Sequence, residues 1–384
     1  MSSPIDPFDL GLRHGEPKPA LYRRLLQVPF AIIASGLVVI AIIVGAVNVT
    51  GKVFHPQASN DYTGDGYGSV QVSVHPGQAL SAIGETLVEA GVVKSVTAFS
   101  DATDDNGAAR SIQPGTYQLR LQMSAASAVA LMVSPDSLVG GRVTIPEGLR
   151  ISRVEALVTQ SDATIKVADL QAALARPTDF GLPAYANGQP EGFLYPATYN
   201  VDNTTTATDL LIQMVGRFNQ VATSINLAQG AAALKLTPYQ VVIIASLIEA
   251  EVKRPQDYPQ VAEVILNRMH KGMPLELDST VNYALGTTKP FLSPTDLKTA
   301  SPFNTYLHTG LPPTPIDSPG QDALLAALNP AQGNYIYFVT TDPTTGDTTF
   351  TASLTEANAL RVLAQKNAAA VAAGSPPASA PASP

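Results

Sequence analysis

One uncharged stretch near the N-terminus constrains this chain more than any other feature of its sequence. Residues 28–49 read VPFAIIASGLVVIAIIVGAVNV, in which only Ser35 and Asn48 are polar. As a helix rising 1.5 Å per residue, the stretch would be roughly 33 Å long, enough for a hydrocarbon core of about 30 Å. A buried core helix is seldom apolar all round for so long, and a signal peptide has a shorter apolar core followed by a cleavage site. The sequence therefore predicts a retained transmembrane helix.

The charges beside this helix predict its orientation. Lys52 is the only Lys or Arg shortly after it, whereas four basic residues precede it: Arg13, Lys18, Arg23 and Arg24. Because basic residues accumulate on the cytoplasmic side of a membrane helix, we expect the N-terminus in the cytoplasm and everything after about residue 50 outside. Residues 1–27 and 371–384, which contain many Pro, Gly, Ser or Ala residues, are expected to be disordered tails.

The composition of the 384 residues excludes several classes of function. A net charge of −8 and a pI near 5.1 argue against nucleic acid as a partner, because phosphate neutralisation needs clustered Lys and Arg. Cysteine is absent, so the chain has no disulfide, no thiolate metal ligand and no cysteine nucleophile. None of the five histidines lies at a metal-ligand spacing such as HExxH, and we expect neither a metal nor another cofactor.

The part of the chain beyond the predicted membrane helix begins with a linker and a small unit. Residues 50–68 are polar and Gly-rich, as expected of a tether. In residues 69–140, apolar residues alternate in SVQVSV, recur at helical spacing over Ala79–Ala90, and alternate again after a Pro-Gly turn. These patterns predict a compact unit with two strands and two or three helices.

Residues 141–370 are predicted to be richer in helix. RVTIP is typical of a strand and is followed by a turn at Pro146–Gly148 and a helix, and EGFLYPATYNV at 191–201 is also strand-like. Longer elements are expected as helices over Ala207–Asn226, from Pro238 to about Lys253 and over Tyr258–His270, and as a hairpin around Thr345–Gly346. The predicted fold class is α+β, with a small unit nearest the membrane anchor and a larger helix-rich domain.

Two carboxylates stand near the end of the helix predicted to begin at Pro238. Its sequence, YQVVIIASLIEAEV, is apolar nearly all round, which predicts burial. Glu249 and Glu251 lie about 160° apart on its surface, so the pattern alone does not choose between them. Burial would raise the pKa of either carboxyl, which a general acid requires. The alternative is that both form buried ion pairs with Lys253, Arg254 or Arg268.

Two later stretches are unusually rich in hydrogen-bonding side chains. The first, LNRMHKGMPLELDSTVNYALG at 266–286, contains Asn267, Arg268, Asp278, Thr280 and Tyr283. The second, SPFNTYLHTGLPPTP at 301–315, contains Asn304, Thr305 and Tyr306 before a rigid Gly-Leu-Pro-Pro turn. Amides, hydroxyls and aromatic rings on loops are typical of a carbohydrate groove, although ordinary loop and turn chemistry explains them equally well.

Several long phrases, in fixed order, resemble the endolytic murein transglycosylases of the YceG-like (MltG) family. They are IPEGLRISRV, EGFLYPATY, IIASLIEAEV, VILNRMHKGMPLELDSTVNYALG and SPFNTYLHTGLPPTPIDSPG, followed by ALNPAQGNYIYFV. The resemblance runs from about residue 70 to residue 365 and is strongest from Thr144 onward. It implies that residues 69–140 form a LysM-like module and that residues 141–370 form the catalytic domain.

The resemblance also implies roles for individual residues. Glu249 matches the family's catalytic glutamate, and Glu251 matches a supporting residue. Supporting or substrate-binding positions of the groove are matched by Glu191, Asn267, Arg268, Asp278, Thr280, Tyr283, Asn304, Thr305 and Tyr306. The chain departs from the family pattern at three positions: Ala197 for a common Asp, Glu276 for a usual Gln, and Ala357 for a His. Glu276 would add a carboxylate near the groove.

The implied activity is cleavage, without water, of the bond between N-acetylmuramic acid and N-acetylglucosamine in nascent peptidoglycan strands. The products would carry 1,6-anhydro ends, and strand elongation would terminate. The implied partners are the glycan strands, the membrane and the membrane-bound peptidoglycan synthesis machinery. Two other functions were considered. A non-catalytic peptidoglycan-binding scaffold conflicts with the intact Glu249 phrase, and a serine hydrolase would need a G-x-S-x-G elbow that is absent.

Overall fold

The computed structural model describes residues 60–161, 164–202, 204–374 and 376–378. The predicted transmembrane helix at 28–49, the tail at 1–27 and most of the linker lie outside the described residues. From Asp61 onward the described residues form one compact unit. Within them no single helix is long and apolar enough to cross a membrane, and one pair of helices bent by 92°, Leu227–Ala233 with Pro238–Glu251, meets that test by length and composition only.

The first part of this unit is a three-stranded antiparallel sheet covered by helices. Its elements are β1 (Asp65–Val74), α1 (Leu80–Glu89), α2 (Val96–Asp105), β2 (Gly115–Met123), α3 (Ala125–Met132) and β3 (Leu138–Val139), with strand order β1-β2-β3. The alternating apolar residues of β1 place Val72 and Val74 in a core of their own, together with Leu87 and Phe99 from the first two helices. The helices begin where Ser95 and Ser124 accept hydrogen bonds from backbone N–H groups of α2 and α3.

The larger part follows without a break. Its elements are β4 (Gly141–Thr144), α4 (Ile151–Ser161), α5 (Val167–Leu174), β5 (Thr198–Val201), α6 (Ala207–Ser224), α7 (Leu227–Ala233), α8 (Pro238–Glu251), α9 (Tyr258–His270), α10 (Asp278–Leu285), α11 (Gln321–Leu328), β6 (Tyr337–Thr340), β7 (Thr348–Thr351) and α12 (Leu354–Ala372). β4 pairs with β5 and β6 with β7, both antiparallel. The mixture of separate helices and small sheets confirms the predicted α+β class.

α8 is the central helix of the larger part. It begins at a capping box formed by Thr237 and Gln240, with Pro238 in its first turn. Every residue from Val241 to Ile248 is buried, against α7, α9 and α11. The apolar sequence therefore forms a core helix, as predicted, and its last turn is the place where the chain leaves the core.

The helices α6, α8 and α9 end within two residues of their predicted bounds, and the predicted hairpin around Thr345–Gly346 is formed by β6 and β7. The longest helix, α12, was not predicted, because only Ala357, Leu360 and Asn367 of it are buried and its sequence has little apolar periodicity. The strand expected over residues 191–201 is reduced to β5, because Gly192 has a φ of +89° and the chain turns there. β1 begins at Asp65, inside the predicted linker. β3 was not predicted, since two residues carry no alternating pattern.

Candidate active site

Glu249 lies in the last turn of α8. The residues before it, Val241 to Ile248, are all buried, whereas Glu249 itself is half-buried. Its Oε1 accepts a hydrogen bond from the Tyr258 hydroxyl (3.2 Å), and its Oε2 accepts one from the Gly320 N–H (3.1 Å). Desolvation raises the pKa of Glu249, and these two hydrogen bonds oppose the rise. A partly accessible carboxyl with a raised pKa is suited to donate a proton.

Two further acidic residues face Glu249. Glu147 follows β4 in the loop before α4, and Asp322 lies in the first turn of α11. After desolvation, their negative charges also raise the pKa of Glu249. Sequence reasoning did not single out either residue. Glu147 stood within the IPEG phrase, where a turn explained it, and Asp322 carries no local signal.

Asp317 is a third acidic residue near Glu249, and it is buried. Its side chain is 5% exposed, and its Oδ1 has no hydrogen-bond partner among the described residues. Desolvation raises the pKa of Asp317 well above its usual range, and the charges of Glu249 and Glu191 add to that effect. Asp317 was not among the residues predicted from the sequence. The only available signal was a carboxylate inside the otherwise apolar and Pro-rich phrase TPIDSPG.

The segment that carries Asp317 is held in place by backbone hydrogen bonds. The Ile316 N–H donates to the Ser246 hydroxyl of α8 (3.1 Å). On the other side, the Ser318 N–H donates to the Leu149 carbonyl and the Gly148 N–H donates to the Ser318 carbonyl (3.0 Å each). These bonds fix the loop after β4 and the segment before α11 against the end of α8.

Glu191 and Tyr283, which are 92 positions apart in the sequence, are in contact. Glu191 is 9% exposed, and its carboxylate accepts hydrogen bonds from the Tyr283 hydroxyl (2.9 Å) and the Ile151 N–H (3.0 Å). Burial raises the pKa of Glu191 to about 7, against the lowering effect of those bonds and of Arg150. The Arg150 guanidinium lies 5.6 Å from the Tyr283 ring centroid. Because Asp317 interacts with both Glu191 and Glu249, the three carboxyls form one acidic region.

Glu251 leaves α8 on the other side and contacts a different helix. Its Oε1 accepts a hydrogen bond from the Ser279 hydroxyl (2.6 Å) in the first turn of α10. Burial raises the pKa of Glu251 to about 7, although the Ser279 hydroxyl opposes the rise. Next to Ser279, the carboxylate of Asp278 accepts a hydrogen bond from the Tyr306 hydroxyl (2.6 Å). Asp278 and Tyr306 therefore belong to the Glu251 side.

Arg268 and Asn267 connect α9 to neighbouring loops. Arg268 is 5% exposed and donates to the carbonyl oxygens of Pro274, Leu275 and Ile336 and to the carboxylate of Glu276. The Asn267 amide donates to the Tyr335 carbonyl (2.9 Å). In the described residues these contacts connect α9 to the loop before α10 and to the start of the last hairpin.

The polar residues of the second stretch are also engaged inside the protein. Asn304 is fully buried, and its amide nitrogen donates to the carbonyl oxygens of Leu297 and Thr299. The hydroxyls of Thr280 and Thr305 lie 2.9 Å apart, and that of Thr305 also accepts a hydrogen bond from the Leu277 N–H. Asn304 therefore has no amide hydrogen left to bind a ligand. The structure places Asn304, Thr305 and Thr280 beneath the loops rather than on an open surface.

The three departures from the family pattern have simple surroundings. Ala197 packs half-buried against the larger core, and Ala357 is fully buried in α12. The carboxylate of Glu276 forms an ion pair with Arg268 (3.0 Å). Its charge is therefore compensated.

The ion pairs considered as an alternative for Glu249 and Glu251 do not form. Arg268 pairs with Glu276, and Arg254 pairs with Asp257 and Asp347. In the described part of the chain, no ion pair reaches either glutamate. Within the same ranges no group of three or more His, Asp or Glu side chains is arranged to hold a metal ion.

Comparisons with known proteins identify the family to which this chain belongs. Residues 72–361 match the YceG-like family. The chain is 30% identical over 304 residues to the endolytic murein transglycosylase of Bacillus subtilis (strain 168), covering 76% of this chain and 83% of that protein. It is 29% identical over 308 residues to the endolytic murein transglycosylase of Streptococcus pneumoniae (strain D39), covering 70% of this chain but only 54% of that protein.

A solved structure is also similar. The 2.6 Å crystal structure of a YceG-like protein from Listeria monocytogenes matches with a TM-score of 0.52 and 27% sequence identity. The match covers 76% of this chain and 99% of that one. Together with the sequence match, it confirms the family that the signature phrases indicated.

Proposed function

This chain belongs to the YceG-like family, and from that premise we propose that it is an endolytic murein transglycosylase. Its substrate would be the glycan strand of nascent peptidoglycan, cut between N-acetylmuramic acid and N-acetylglucosamine. The observation that carries the proposal is the setting of Glu249 at the end of α8. Its half-buried carboxyl accepts hydrogen bonds from a tyrosine hydroxyl and a backbone N–H, and Glu147 and Asp322 face it.

In the proposed reaction Glu249 acts first as an acid and then as a base. Its proton passes to the glycosidic oxygen while the bond from that oxygen to the anomeric carbon breaks through an oxocarbenium-like state. The resulting carboxylate then takes the proton of the muramoyl 6-hydroxyl, whose oxygen bonds to the anomeric carbon and closes a 1,6-anhydro ring. No water is consumed, and Glu249 regains its proton.

One carboxylate is enough for this reaction because the nucleophile, the muramoyl 6-hydroxyl, belongs to the substrate. A hydrolytic glycosidase instead places a second carboxylate to attack the sugar or to activate water. The Gly320 N–H and the Tyr258 hydroxyl would stabilise the Glu249 carboxylate that exists between the two steps. Their hydrogen bonds also hold the side chain in one orientation.

We further propose that residues 28–49 anchor the protein in the cell membrane, with the N-terminus in the cytoplasm and the catalytic domain outside. The uncharged stretch and the basic residues before it support this orientation. Residues 69–140 would be a LysM-like module that binds the glycan strand, and the anchor would place the enzyme beside the peptidoglycan synthesis machinery. A reporter fused to the C-terminus should be active outside the cytoplasm. Activity only in the cytoplasm would contradict this part of the proposal.

The activity is tested by mass spectrometry of the products that the full chain releases from purified peptidoglycan. We expect cuts within the strands, each of which leaves a 1,6-anhydromuramic end. Such cuts would terminate strand elongation. Reducing ends would instead indicate a hydrolase. Binding without cleavage would favour the membrane-anchored scaffold and overturn the proposal.

A further inference from the structure

Glu147 and Glu249 meet at one residue, Gly320, the N-cap of α11. The Gly320 N–H donates to Glu249 Oε2 (3.1 Å). At the same residue, the Glu147 carboxylate occupies the position that a β-carbon of Gly320 would take. Any other amino acid at 320 would displace that carboxylate. The two glutamates therefore come together only because residue 320 has no side chain.

The loop that carries Glu147 is fixed on both sides of it. Before it, the Ile145 N–H donates to the Ala197 carbonyl (2.9 Å). After it, Gly148 has a φ of +72° and donates its N–H to the Ser318 carbonyl (3.0 Å). The loop also reaches Glu249 itself, since a β-carbon on Gly148 would lie 3.6 Å from Glu249 Cγ. Glu147 is exposed, but the backbone that bears it has little freedom.

The groups that face Glu249 are mostly acidic. Glu147 comes from the loop after β4, Asp322 from α11 and Asp317 from the segment before α11, while α9 contributes the neutral hydroxyl of Tyr258. In the described residues no ion pair compensates Glu249. The backbone N–H of Gly320 favours the charged form of the carboxyl, and the neighbouring acids disfavour it.

We infer that Glu147 is a positioning residue for the reaction: its carboxylate, held over Gly320, keeps Glu249 protonated and so ready to donate at neutral pH. The inference rests on the proposed function, in which Glu249 is the acid. A purely structural role is the alternative, in which Glu147 stabilises the N-terminus of α11 as any exposed anion there would. The two roles differ in one measurable respect, since only the first changes the pH at which Glu249 loses its proton.

The test is the pH dependence of kcat/KM for anhydro-product formation by the full chain. Glu147→Gln removes the negative charge and should move the alkaline limb, where Glu249 deprotonates, to lower pH by about half a unit. Above that limb the rate should fall about threefold relative to wild type, which is the same shift expressed as a ratio. Glu147→Asp keeps the charge, so its alkaline limb should lie close to that of the wild type. Asp179→Asn removes the charge of an exposed aspartate in the loop after α5, whose carboxylate pairs with Arg176, and should leave the profile unchanged.

Gly320→Ala tests the geometry without changing any charge. The backbone at Gly320, with φ −77° and ψ 176°, accepts an alanine, and the atoms in its way belong to the flexible end of an exposed side chain. The new methyl group should push the Glu147 carboxylate aside, keep the N–H bond to Glu249, and shift the limb in the same direction as Glu147→Gln. Because both changes remove one interaction, the double variant should shift the limb no further than Glu147→Gln alone.

Three outcomes separate this inference from the proposed function. A limb that stays in place in Glu147→Gln, while Glu249→Gln is inactive, would leave Glu249 as the acid and reduce Glu147 to a surface carboxylate. A loss of kcat/KM through KM alone, at an unmoved limb, would make Glu147 a substrate contact and overturn the inference as well. A fully active Glu249→Gln would instead remove the proposed function on which the inference rests.

Discussion

The two glutamates at the end of α8 both reach the N-terminal end of another helix, yet their surroundings differ. Glu251 meets α10, where the hydroxyl of Ser279 completes its hydrogen bonding and the Asp278–Tyr306 pair continues the network. Glu249 meets α11 through the Gly320 N–H, with Tyr258 as its side-chain donor. The Glu251 side resembles a structural network whose members satisfy one another.

Several acidic side chains surround Glu249. Glu147, Asp317 and Asp322 all lie near Glu249, and Asp317 has a buried oxygen without a hydrogen-bond partner among the described residues. Such an arrangement lowers stability, because buried and mutually repelling carboxyls are costly. Perturbed carboxyls of this kind cluster at functional sites. The difference in neighbouring charge supports the proposal that Glu249 transfers the proton and that Glu251 has a supporting role.

Among the substitutions that test this comparison, Glu249→Gln should have the largest effect on the reaction rate. Glutamine keeps the shape of the side chain but has no proton to transfer, and general acid–base catalysis contributes about 10²–10⁴-fold. Anhydro-product formation should therefore fall by at least about 100-fold. The melting temperature should be unchanged or higher, since the variant no longer buries a titratable carboxyl. Rates on purified peptidoglycan and a melting curve check both expectations, and an active, folded variant would contradict the assignment.

The sequence predicted the long buried helices α6, α8 and α9 better than it predicted the site. Long periodic stretches such as Tyr258–His270 were found at their observed bounds, because burial of one face controls the pattern. Glu249 was named correctly as lying at the exit of a buried helix. Glu147, Asp317 and Gly320 were missed, because their roles depend on contacts between residues far apart in the sequence, such as Gly320 and Glu249, which are separated by 71 positions. No local pattern encodes such a contact.

A second limit concerns residues whose chemistry suggested a groove. Asn304 and Thr305 were predicted from their hydrogen-bonding side chains, and the structure places both inside the protein with backbone partners. In the sequence, a buried amide that donates hydrogen bonds to loop carbonyls looks the same as an amide that binds sugar. Only the surrounding fold distinguishes the two.

The next effect should come from Asp317→Asn and concerns stability. The folded-state pKa of Asp317 is raised, so between its unfolded value, about 3.9, and its folded value the native state binds a proton that the unfolded state does not. Its contribution to stability therefore falls as pH rises through that window. Asparagine carries no charge and should raise the free energy of unfolding by about 1–3 kcal/mol at pH 8. At pH 3.5 the gain should vanish.

Denaturant titrations at the two pH values measure this difference directly. The pKa of Glu251 is raised to about 7, and its ionisation destabilises both proteins equally over this range, so its contribution cancels. Glu191 interacts with Asp317, and any change in its ionisation is part of the measured difference. An equal stability change at both pH values would mean that Asp317 is not held protonated in the folded protein. Its place in the acidic region would then need another explanation.

A smaller effect should distinguish the two tyrosines that serve the two sides. Tyr258→Phe removes a donor from the Glu249 carboxylate, and Tyr306→Phe removes one from Asp278. The first should lower kcat by about tenfold, because the carboxylate formed after proton transfer loses a hydrogen bond. It should also move the alkaline limb of the pH profile upward, since that bond lowers the pKa of Glu249. The second should cost about 1 kcal/mol of stability and leave kcat nearly unchanged.

The smallest effect is expected from Glu251→Gln. Glutamine can still accept the Ser279 hydroxyl through its amide oxygen, so we expect a rate loss of only about threefold, from small shifts in the end of α8. Stability should respond more clearly. The pKa of Glu251 is raised from 4.5 to about 7, so wild-type stability falls as pH rises between those values, and the variant should lack that part of the decline. Melting curves at pH 4 and pH 7.5, with rates at neutral pH, test both. If Glu251→Gln were folded and inactive while Glu249→Gln remained active, the acid would lie on the other side of α8, and the comparison would be reversed.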